Sequence, residues 1–375
     1  MNAQLPLITR FASSWLQRSW PSYCVIFVTS RCNARCVFCF NWENVFSKPK
    51  DPEITLAEFE ALSRSMKPLL QLVLSGGEPF LRRDLGEIIS AFYRNSGTRL
   101  VGIPTNAYLP DAIEETTRQV LTECPELTLN LNLSIDGILG KHDAVRGVKG
   151  QFRKILDSYA RLDALRRRFP NLTINAQSVI SKYNVEDIEK TIRQLRDELE
   201  LGFHAVGPVR GSTPEKDAKE ITSEQVRAIY TRTDKIRHEH NDGRLMSRIA
   251  DSLLHRLREI ELRAMDSKRR EFVCLAGRKM VVISHDAKVY PCEPLWLDDE
   301  QKRVFPQDGV MGDLRQTGFD IRPILASERA ESVRADVDKK LCACMYGCAI
   351  YNSLLFAPST YPATLKELIL PSRQR

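Results

Sequence analysis

Short apolar or alternating runs recur along the first two hundred residues, and each is followed by a stretch with helical spacing. Run 24–30 (CVIFVTS) predicts a buried strand, and run 127–134 (LTLNLNLS) predicts a strand with one covered face. The six predicted strands are 24–30, 72–76, 100–105, 127–134, 173–180 and 203–207, and the helices between them are 55–68, 83–95, 111–123, 150–168 and 186–200. Strands that alternate with helices predict an α/β fold of parallel βαβ units, which right-handed crossovers curl into a partial (β/α)6 TIM-like barrel.

The same patterns divide the rest of the chain. Residues 5–20 carry large apolar side chains at helical spacing, and these are Ile8, Phe11, Trp15 and Leu16. We expect an amphipathic helix within 1–21 that packs on the domain surface or makes peripheral contact with a membrane. The barrel occupies 22–210, a charged helical connection 211–272, a small Cys-rich α+β domain 273–350, and a tail 351–375.

Composition and charge narrow the function classes. The chain has 375 residues, of which 43% are hydrophobic and 27% charged, and this is ordinary globular composition. The net charge of +7 is spread along the chain, and 271–375 is neutral, so no basic stripe for nucleic acid is expected. No apolar run approaches the roughly 20 residues that span a bilayer. The first residues lack a secretory signal, which predicts a cytoplasmic protein with reduced thiols.

Three of the ten cysteines follow the first predicted strand directly. Cys32, Cys36 and Cys39 fall within eight residues, where their thiolates can converge on one metal centre. A zinc site usually has four protein ligands, and no fourth Cys or His lies nearby in the sequence. Three thiolates on one loop instead suit a [4Fe–4S] cluster that keeps one iron open for a substrate or cofactor.

The sequence CNARCVFC resembles the CxxxCxxC signature of the radical S-adenosylmethionine (SAM) superfamily. Further motifs of that family follow in order at successive strand ends. They are Ser75-Gly76-Gly77-Glu78-Pro79, Thr105-Asn106, Ser134-Ile135-Asp136-Gly137, His142-Asp143 and Arg146-Gly147. The resemblance covers about residues 22–210 and implies that the three cysteines hold a [4Fe–4S] cluster whose open iron binds SAM.

The resemblance also implies how individual residues bind SAM. The carbonyl groups of Gly76 and Gly77 and the carboxylate of Glu78 would accept from the amino group of SAM. The other implied contacts are Ser134 with the ribose or the carboxylate, Arg146 with the carboxylate, Asn106 nearby, and Phe38 and Gly207 with adenine. Asp136 has a plainer interpretation, since with Gly137 it forms a turn.

The second group of cysteines resembles the SPASM and twitch auxiliary-cluster domains. A full SPASM domain carries seven cysteines, whereas this region has five, and Ala287 replaces the usual hairpin glycine. The resemblance therefore implies one auxiliary [4Fe–4S] cluster, and a second, incompletely ligated cluster is the alternative. Its implied ligands are Cys274, Cys292 and Cys348, with Cys342 or Cys344 as the fourth. A zinc site that stabilises a small domain is the alternative interpretation.

These features predict a radical SAM oxidoreductase or modifying enzyme. The resemblance implies that the reduced cluster cleaves SAM to a 5′-deoxyadenosyl radical, which abstracts hydrogen from a substrate, and that a flavodoxin or ferredoxin supplies the electron. Modification of a peptide or protein and dehydrogenation of a small molecule are the leading possibilities. The alternatives are a lipid-modifying enzyme at the membrane surface and a non-catalytic metal-binding protein that retains the fold.

Overall fold

A nine-stranded sheet runs through the protein. The structure is a computed structural model that describes residues 4–17, 20–47, 51–238 and 245–369. The strands are β1 (Tyr23–Thr29), β2 (Gln71–Gly76), β3 (Leu100–Thr105), β4 (Thr128–Ser134), β5 (Leu172–Ile180), β6 (His204–Pro208), β7 (Met280–Ile283), β8 (Lys288–Tyr290) and β9 (Gly312–Asp313). The first six coincide with the six predicted strands to within a residue or two.

The sheet has the order β6-β5-β4-β3-β2-β1-β7-β8-β9. Strands β1 to β6 are parallel to their neighbours, and β6 pairs only with β5 in the described part of the chain, so the barrel is partial and does not close. Strand β7 adds to the other edge of β1 in parallel, and β8 and β9 follow antiparallel. The buried edge of β1 thereby gains hydrogen-bond partners. The region predicted as a second domain thus continues the sheet of the first.

Helices alternate with the parallel strands and continue through the C-terminal half. They are α1 (Gln4–Leu16), α2 (Trp42–Phe46), α3 (Leu56–Ser65), α4 (Leu85–Asn95), α5 (Pro110–Glu123), α6 (Gly140–Arg146), α7 (Gln151–Arg166), α8 (Ile188–Glu198), α9 (Ser223–His238), α10 (Leu245–Ser267), α11 (Pro294–Leu297), α12 (Asp299–Arg303), α13 (Ile321–Ala326), α14 (Glu328–Asp338), α15 (Gly347–Phe356) and α16 (Tyr361–Ile369). The sequence pattern did not predict α2 and α6, which are too short to show a clear helical period.

The two faces of the parallel sheet differ in polarity. One face is apolar and packs against the barrel helices through side chains such as Leu74, Leu131 and Leu133. Successive side chains of a strand point to opposite faces, and several of the alternate positions are polar and only partly buried, although Val73 and Val179 are apolar. These polar positions include Gln71, Asn130, Asn132, Ser134 and Gln177. The inner face of the barrel is therefore open and rich in amides.

Helix α1 packs on the C-terminal helices. The rings of Phe11 and Phe356 stack with centroids 5.3 Å apart, and the indole nitrogen of Trp15 donates to the Tyr361 hydroxyl at 2.9 Å. The Lys279 ammonium donates to the Gln17 carbonyl at 2.6 Å. An apolar cavity of about 540 Å³ lies between α1, α10, α15 and α16. Packing on the domain surface agrees with one of the two expectations for this helix.

Some residues of the two terminal segments are not described by the structure. The side chain of Ile8 and residues 1–3 and 370–375 lie outside the described residues. Leu16 is described and is 73% exposed. Within the described ranges, no helix is both long and apolar enough to cross a membrane. Membrane contact through α1 stays a prediction.

Candidate active site

The loop that carries the first three cysteines begins at the carboxyl end of β1 and is held by the end of α6. The backbone N–H of Arg35 donates to the Arg146 carbonyl at 3.0 Å, and that of Val37 to the Val145 carbonyl at 3.1 Å. Gly147 has a φ of +67°, and a Cβ at this position would lie 2.7 Å from the Arg35 carbonyl oxygen. The Arg-Gly motif therefore shapes the cysteine loop through its backbone.

Two of the three thiols of this loop have raised pKa values. Burial, with a smaller contribution from the Cys36 thiol, raises the pKa of Cys32 to about 11 and that of Cys39 to about 12. The Arg146 guanidinium opposes these shifts, and its Nη1 lies 3.6 Å from the Cys36 sulfur. No cysteine among the described residues forms a disulfide. The donor set is three free thiols beside one cation, which suits an iron–sulfur cluster.

The two glycines at the end of β2 lie directly against the start of the cysteine loop. A Cβ on Gly76 would come 2.2 Å from the Thr29 carbonyl oxygen, and one on Gly77 would come 2.0 Å from that of Arg31. Glycine is required here because the backbone of the protein itself approaches so closely. The sequence also suggested that these glycines contact a ligand. Such a contact could come from their carbonyl groups.

Glu78 has internal partners for its carboxylate. It is 1% exposed and accepts from the Asn106 backbone at 2.7 Å, the Thr105 hydroxyl at 2.8 Å and the Phe80 backbone at 3.2 Å. Burial raises the pKa of Glu78 to about 7. The side chain thus joins the end of β2 to the end of β3, and it positions Asn106 beside the cysteine loop.

Arg146 also has a partner within the protein. Its Nε donates to the fully buried carboxylate of Asp136 at 2.6 Å, and the Val179 backbone donates to the same carboxylate at 2.7 Å. The Arg146 guanidinium lies 5.4 Å from the centre of the Phe38 ring, which is 5% exposed. Asp136 therefore does more than form a turn, since it joins β4, β5 and the helix that holds the cysteine loop.

The other predicted contacts lie near the cysteine loop or at strand ends. The Asn106 amide donates to the Asn33 side-chain oxygen at 2.7 Å. The hydroxyl of Ser134 has no hydrogen-bond partner in the described part of the chain, and Ser134 and Gly207 are both partly exposed. The buried amide nitrogen of Asn33 also lacks a partner. Asn33 was missed in the sequence, where its only signal is its position next to Cys32.

The second group of cysteines separates into four thiols and one. Cys274, Cys292, Cys342 and Cys344 are each less than 9% exposed and share one apolar cluster. The Arg270 guanidinium donates to the Cys342 sulfur at 3.1 Å. Burial lowers the pKa of Arg270, but the thiols of Cys274, Cys342 and Cys344 outweigh it and raise the value.

The fifth thiol, Cys348, packs against the same apolar cluster but is only partly buried. The Cys348 sulfur donates to the Glu293 carboxylate at 3.0 Å. The sequence ranked Cys348 above Cys342 and Cys344 as a ligand, whereas the structure gives it a different neighbour. In the described ranges, no group of three or more His, Cys, Asp or Glu side chains is close enough to hold a single metal ion.

Two family models match the chain. The radical SAM superfamily matches residues 26–195, and the SPASM iron–sulfur cluster-binding domain matches residues 274–349. The first range contains the cysteine loop and strand ends β1 to β5. The second contains all five C-terminal cysteines. The model of an iron–sulfur domain favours iron over the zinc interpretation of these cysteines.

Several curated proteins share part of this sequence. The Fe-coproporphyrin III synthase of Methanosarcina barkeri is 31% identical over 222 residues, which are 56% of this chain and 51% of that protein. The GTP 3′,8-cyclase of Marinobacter nauticus is 29% identical over 219 residues, 56% of this chain and 62% of that protein. The chain therefore spans about half to two-thirds of the length of these relatives.

Solved structures share the fold. Streptococcus suis SuiB bound to S-adenosylmethionine aligns with 83% of this chain and 68% of its own, at 18% identity and a TM-score of 0.55. The enzyme anSMEcpe with bound AdoMet aligns with 93% of this chain and 100% of its own, at 14% identity and a TM-score of 0.54. The matched families are enzymes that use SAM, a [4Fe–4S] cluster and further iron–sulfur clusters. The partial barrel, its cysteine loop and the C-terminal cysteines therefore belong to a radical SAM enzyme with a C-terminal SPASM domain.

Proposed function

We propose that this enzyme uses the radical formed from SAM to abstract hydrogen from a polar substrate held inside the barrel. The reaction is the modification of a peptide or protein or the dehydrogenation of a small molecule. The observation that carries the proposal is the amide-rich inner face. Gln71, Asn130 and Gln177 offer hydrogen-bond donors and acceptors there, and an apolar lipid chain would leave them unpaired. Asn132 lies on the same face and accepts from the Asn175 amide at 3.1 Å.

The residues present suit the cofactors that the family uses. Cys32, Cys36 and Cys39 would hold the catalytic cluster, and the free hydroxyl of Ser134 and the buried amide of Asn33 offer hydrogen bonds to SAM. When bound, the cluster would pass one electron from an external reductant to SAM, and the cleavage of SAM would supply methionine and a 5′-deoxyadenosyl radical, chemistry that belongs to the cofactors.

The protein's own residues would position these groups. Gly76 and Gly77 hold the start of the cysteine loop through close backbone contact, and Glu78 fixes Asn106 beside that loop. Arg146 places a positive charge next to Cys36, where it offsets part of the negative charge of bound thiolates. The Gly76 and Gly77 carbonyls, Phe38 and Gly207 complete the proposed SAM contacts.

The proposal is tested by anaerobic reconstitution followed by dithionite and SAM. We expect the wild-type protein to form 5′-deoxyadenosine, and Cys36→Ala to form none because one cluster ligand is gone. Cys124→Ala is the matched control, since Cys124 is buried near Ser90, far from the loop in the sequence. Equal 5′-deoxyadenosine from wild type and Cys36→Ala would contradict the proposal.

The fate of hydrogen tests the substrate step separately. Candidate substrates that are deuterated at carbon would transfer deuterium to 5′-deoxyadenosine if hydrogen abstraction occurs. We expect polar peptides or small molecules to do so, and lipids not to. Deuterium transfer from a lipid alone would contradict the proposal of a polar substrate.

A further inference from the structure

A group of polar side chains between the barrel and the C-terminal region has no place among the proposed SAM contacts. We call it the interdomain cluster, and it consists of Arg210, Glu293, Tyr346 and Cys348. The Arg210 guanidinium lies 4.6 Å from the centre of the Tyr346 ring and 5.7 Å from that of Phe40. Because Phe40 follows Cys39 directly, the interdomain cluster begins where the cysteine loop ends.

Three members of the interdomain cluster have unused hydrogen-bonding capacity. Among the described residues, Arg210 contacts two rings but has no hydrogen-bond or ion-pair partner. Glu293 is 4% exposed and its Oε2 is unpartnered, and Tyr346 is 1% exposed with an unpartnered hydroxyl. Buried polar groups are normally paired, so these three indicate a ligand that supplies the partners.

The fourth member is Cys348, the one thiol of the five C-terminal cysteines that is only partly buried. Its sulfur donates to Glu293 Oε1 at 3.0 Å. The remaining thiols are four in number, the ligand count of one [4Fe–4S] cluster, and they are Cys274, Cys292, Cys342 and Cys344. Cys348 is thus free for another role.

The interdomain cluster is closely packed on one side and partly exposed on the other. Gly211 has a φ of +74°, and a Cβ there would lie 2.6 Å from the Tyr346 hydroxyl, so any larger residue at this position would clash with that hydroxyl. Arg210, Phe40 and Cys348 are only partly buried. The partly buried ring of Trp296, whose centre lies 4.6 Å from that of Phe27, adds an aromatic surface on the same side of β1.

The inference rests on the proposed function, because it assigns the substrate class of that reaction. We propose that the interdomain cluster binds a carboxylate with a neighbouring N–H or O–H donor on the substrate, and that Cys348 belongs to this site and not to the auxiliary iron–sulfur cluster. The planar guanidinium of Arg210 can donate two parallel hydrogen bonds to a carboxylate, and the Tyr346 hydroxyl can donate to the same carboxylate. The free Glu293 oxygen accepts from the neighbouring donor. An amino-acid or hydroxy-acid group meets both requirements.

Iron content tests the assignment of Cys348 without any activity measurement. After anaerobic reconstitution, the wild-type protein should bind about eight irons per chain, as two four-iron clusters. We expect Cys348→Ala to keep that number and Cys344→Ala to lose about four, since only the latter removes a ligand. Loss of about four irons from Cys348→Ala, with Cys344→Ala unchanged or equally affected, would overturn the assignment.

Binding of a small probe tests the substrate class. Hippurate carries a carboxylate, an adjacent amide N–H and an aromatic ring, and its carboxamide analogue has nearly the same shape but is neutral and replaces one carboxylate oxygen with an NH2 group. With SAM bound, we expect calorimetry to show that the wild-type enzyme binds hippurate at least about tenfold more tightly than the carboxamide, the size of one hydrogen bond to a charged group.

The Arg210 variants complete this test. Arg210→Gln should abolish the discrimination between the two probes, and Arg210→Lys should restore part of it because the charge returns without the fork. Equal binding of the two probes by the wild type, or discrimination that persists in Arg210→Gln with unchanged iron content, would overturn the proposal. If the wild type forms 5′-deoxyadenosine but does not discriminate, only this inference fails. If it forms none, the proposed function fails.

Discussion

The buried pair of Asp136 and Arg146 offers a sharp test of how the cysteine loop is held. Asp136 is 0% exposed and accepts from Arg146 Nε at 2.6 Å and from the Val179 backbone at 2.7 Å. Asp136→Asn keeps the shape but leaves the Arg146 charge without its partner. Breaking a buried ion pair in this way costs about 3–5 kcal/mol. We therefore expect the free energy of unfolding to fall by that amount.

The control is an exposed pair in the same barrel. Glu126 contacts Arg99 at 3.1 Å with its side chain 72% exposed, so Glu126→Gln should cost less than about 1 kcal/mol. Urea unfolding followed by circular dichroism gives both values. If Asp136→Asn loses no more stability than Glu126→Gln, the buried pair of Asp136 and Arg146 does not stabilise the barrel more than an exposed pair does.

The same variant should loosen the cluster loop. The Arg146 carbonyl accepts from Arg35 within that loop at 3.0 Å, so a displaced Arg146 shifts the cysteines relative to one another. After reconstitution, Asp136→Asn should therefore lose iron on gel filtration faster than Glu126→Gln. Equal iron retention would mean that the ion pair stabilises the barrel without positioning the loop.

Three further changes test separate features. Gly77→Ala should prevent stable assembly of the catalytic cluster, because its Cβ would lie 2.0 Å from a backbone carbonyl oxygen. Gly140→Ala is the control, since nothing lies within 4 Å of its Cβ, and it should bind iron like the wild type. Iron analysis of the reconstituted proteins compares the two variants. Burial raises the pKa of Glu261 to about 7, above its unfolded value near 4.5, so its contribution to stability is lost as the pH rises from 5 to 8. Urea unfolding should therefore show that the wild type loses about 2 kcal/mol over this range and that Glu261→Gln does not. Equal pH dependence of the two proteins would contradict this assignment of the pH effect to Glu261. Lys279→Met removes the donor to the Gln17 carbonyl and should speed hydrogen exchange in α1, and unchanged exchange would show that the helix is held by its apolar contacts alone.

The parallel strands could be predicted because their apolar runs are bounded and alternate with helical spacing. Strand β4 shows this best, since its leucines are buried and its asparagines face the barrel interior. The pairing of β7 with β1 could not be predicted in this way. Those strands are more than two hundred residues apart, and a run of four buried residues does not specify which edge it joins.

The site was predicted in part. The motifs placed the cysteines, glycines and Asn106 at one edge of the sheet, where parallel strands end. The internal partners of Glu78 and Arg146 could not be read from motifs, because a carboxylate or guanidinium suits a ligand and a buried protein partner equally well. Asn33, which accepts from the Asn106 amide, was missed, since its surroundings come from segments distant in sequence.

An open iron that binds SAM distinguishes one of the two clusters from the other. Electron paramagnetic resonance of the dithionite-reduced enzyme, recorded with and without SAM, detects such an iron. We expect signals from two [4Fe–4S] clusters, of which SAM alters one, and we expect the altered signal to be absent in Cys36→Ala. Signals that SAM leaves unchanged, or an altered signal that persists in Cys36→Ala, would show that no cluster held by this loop binds SAM.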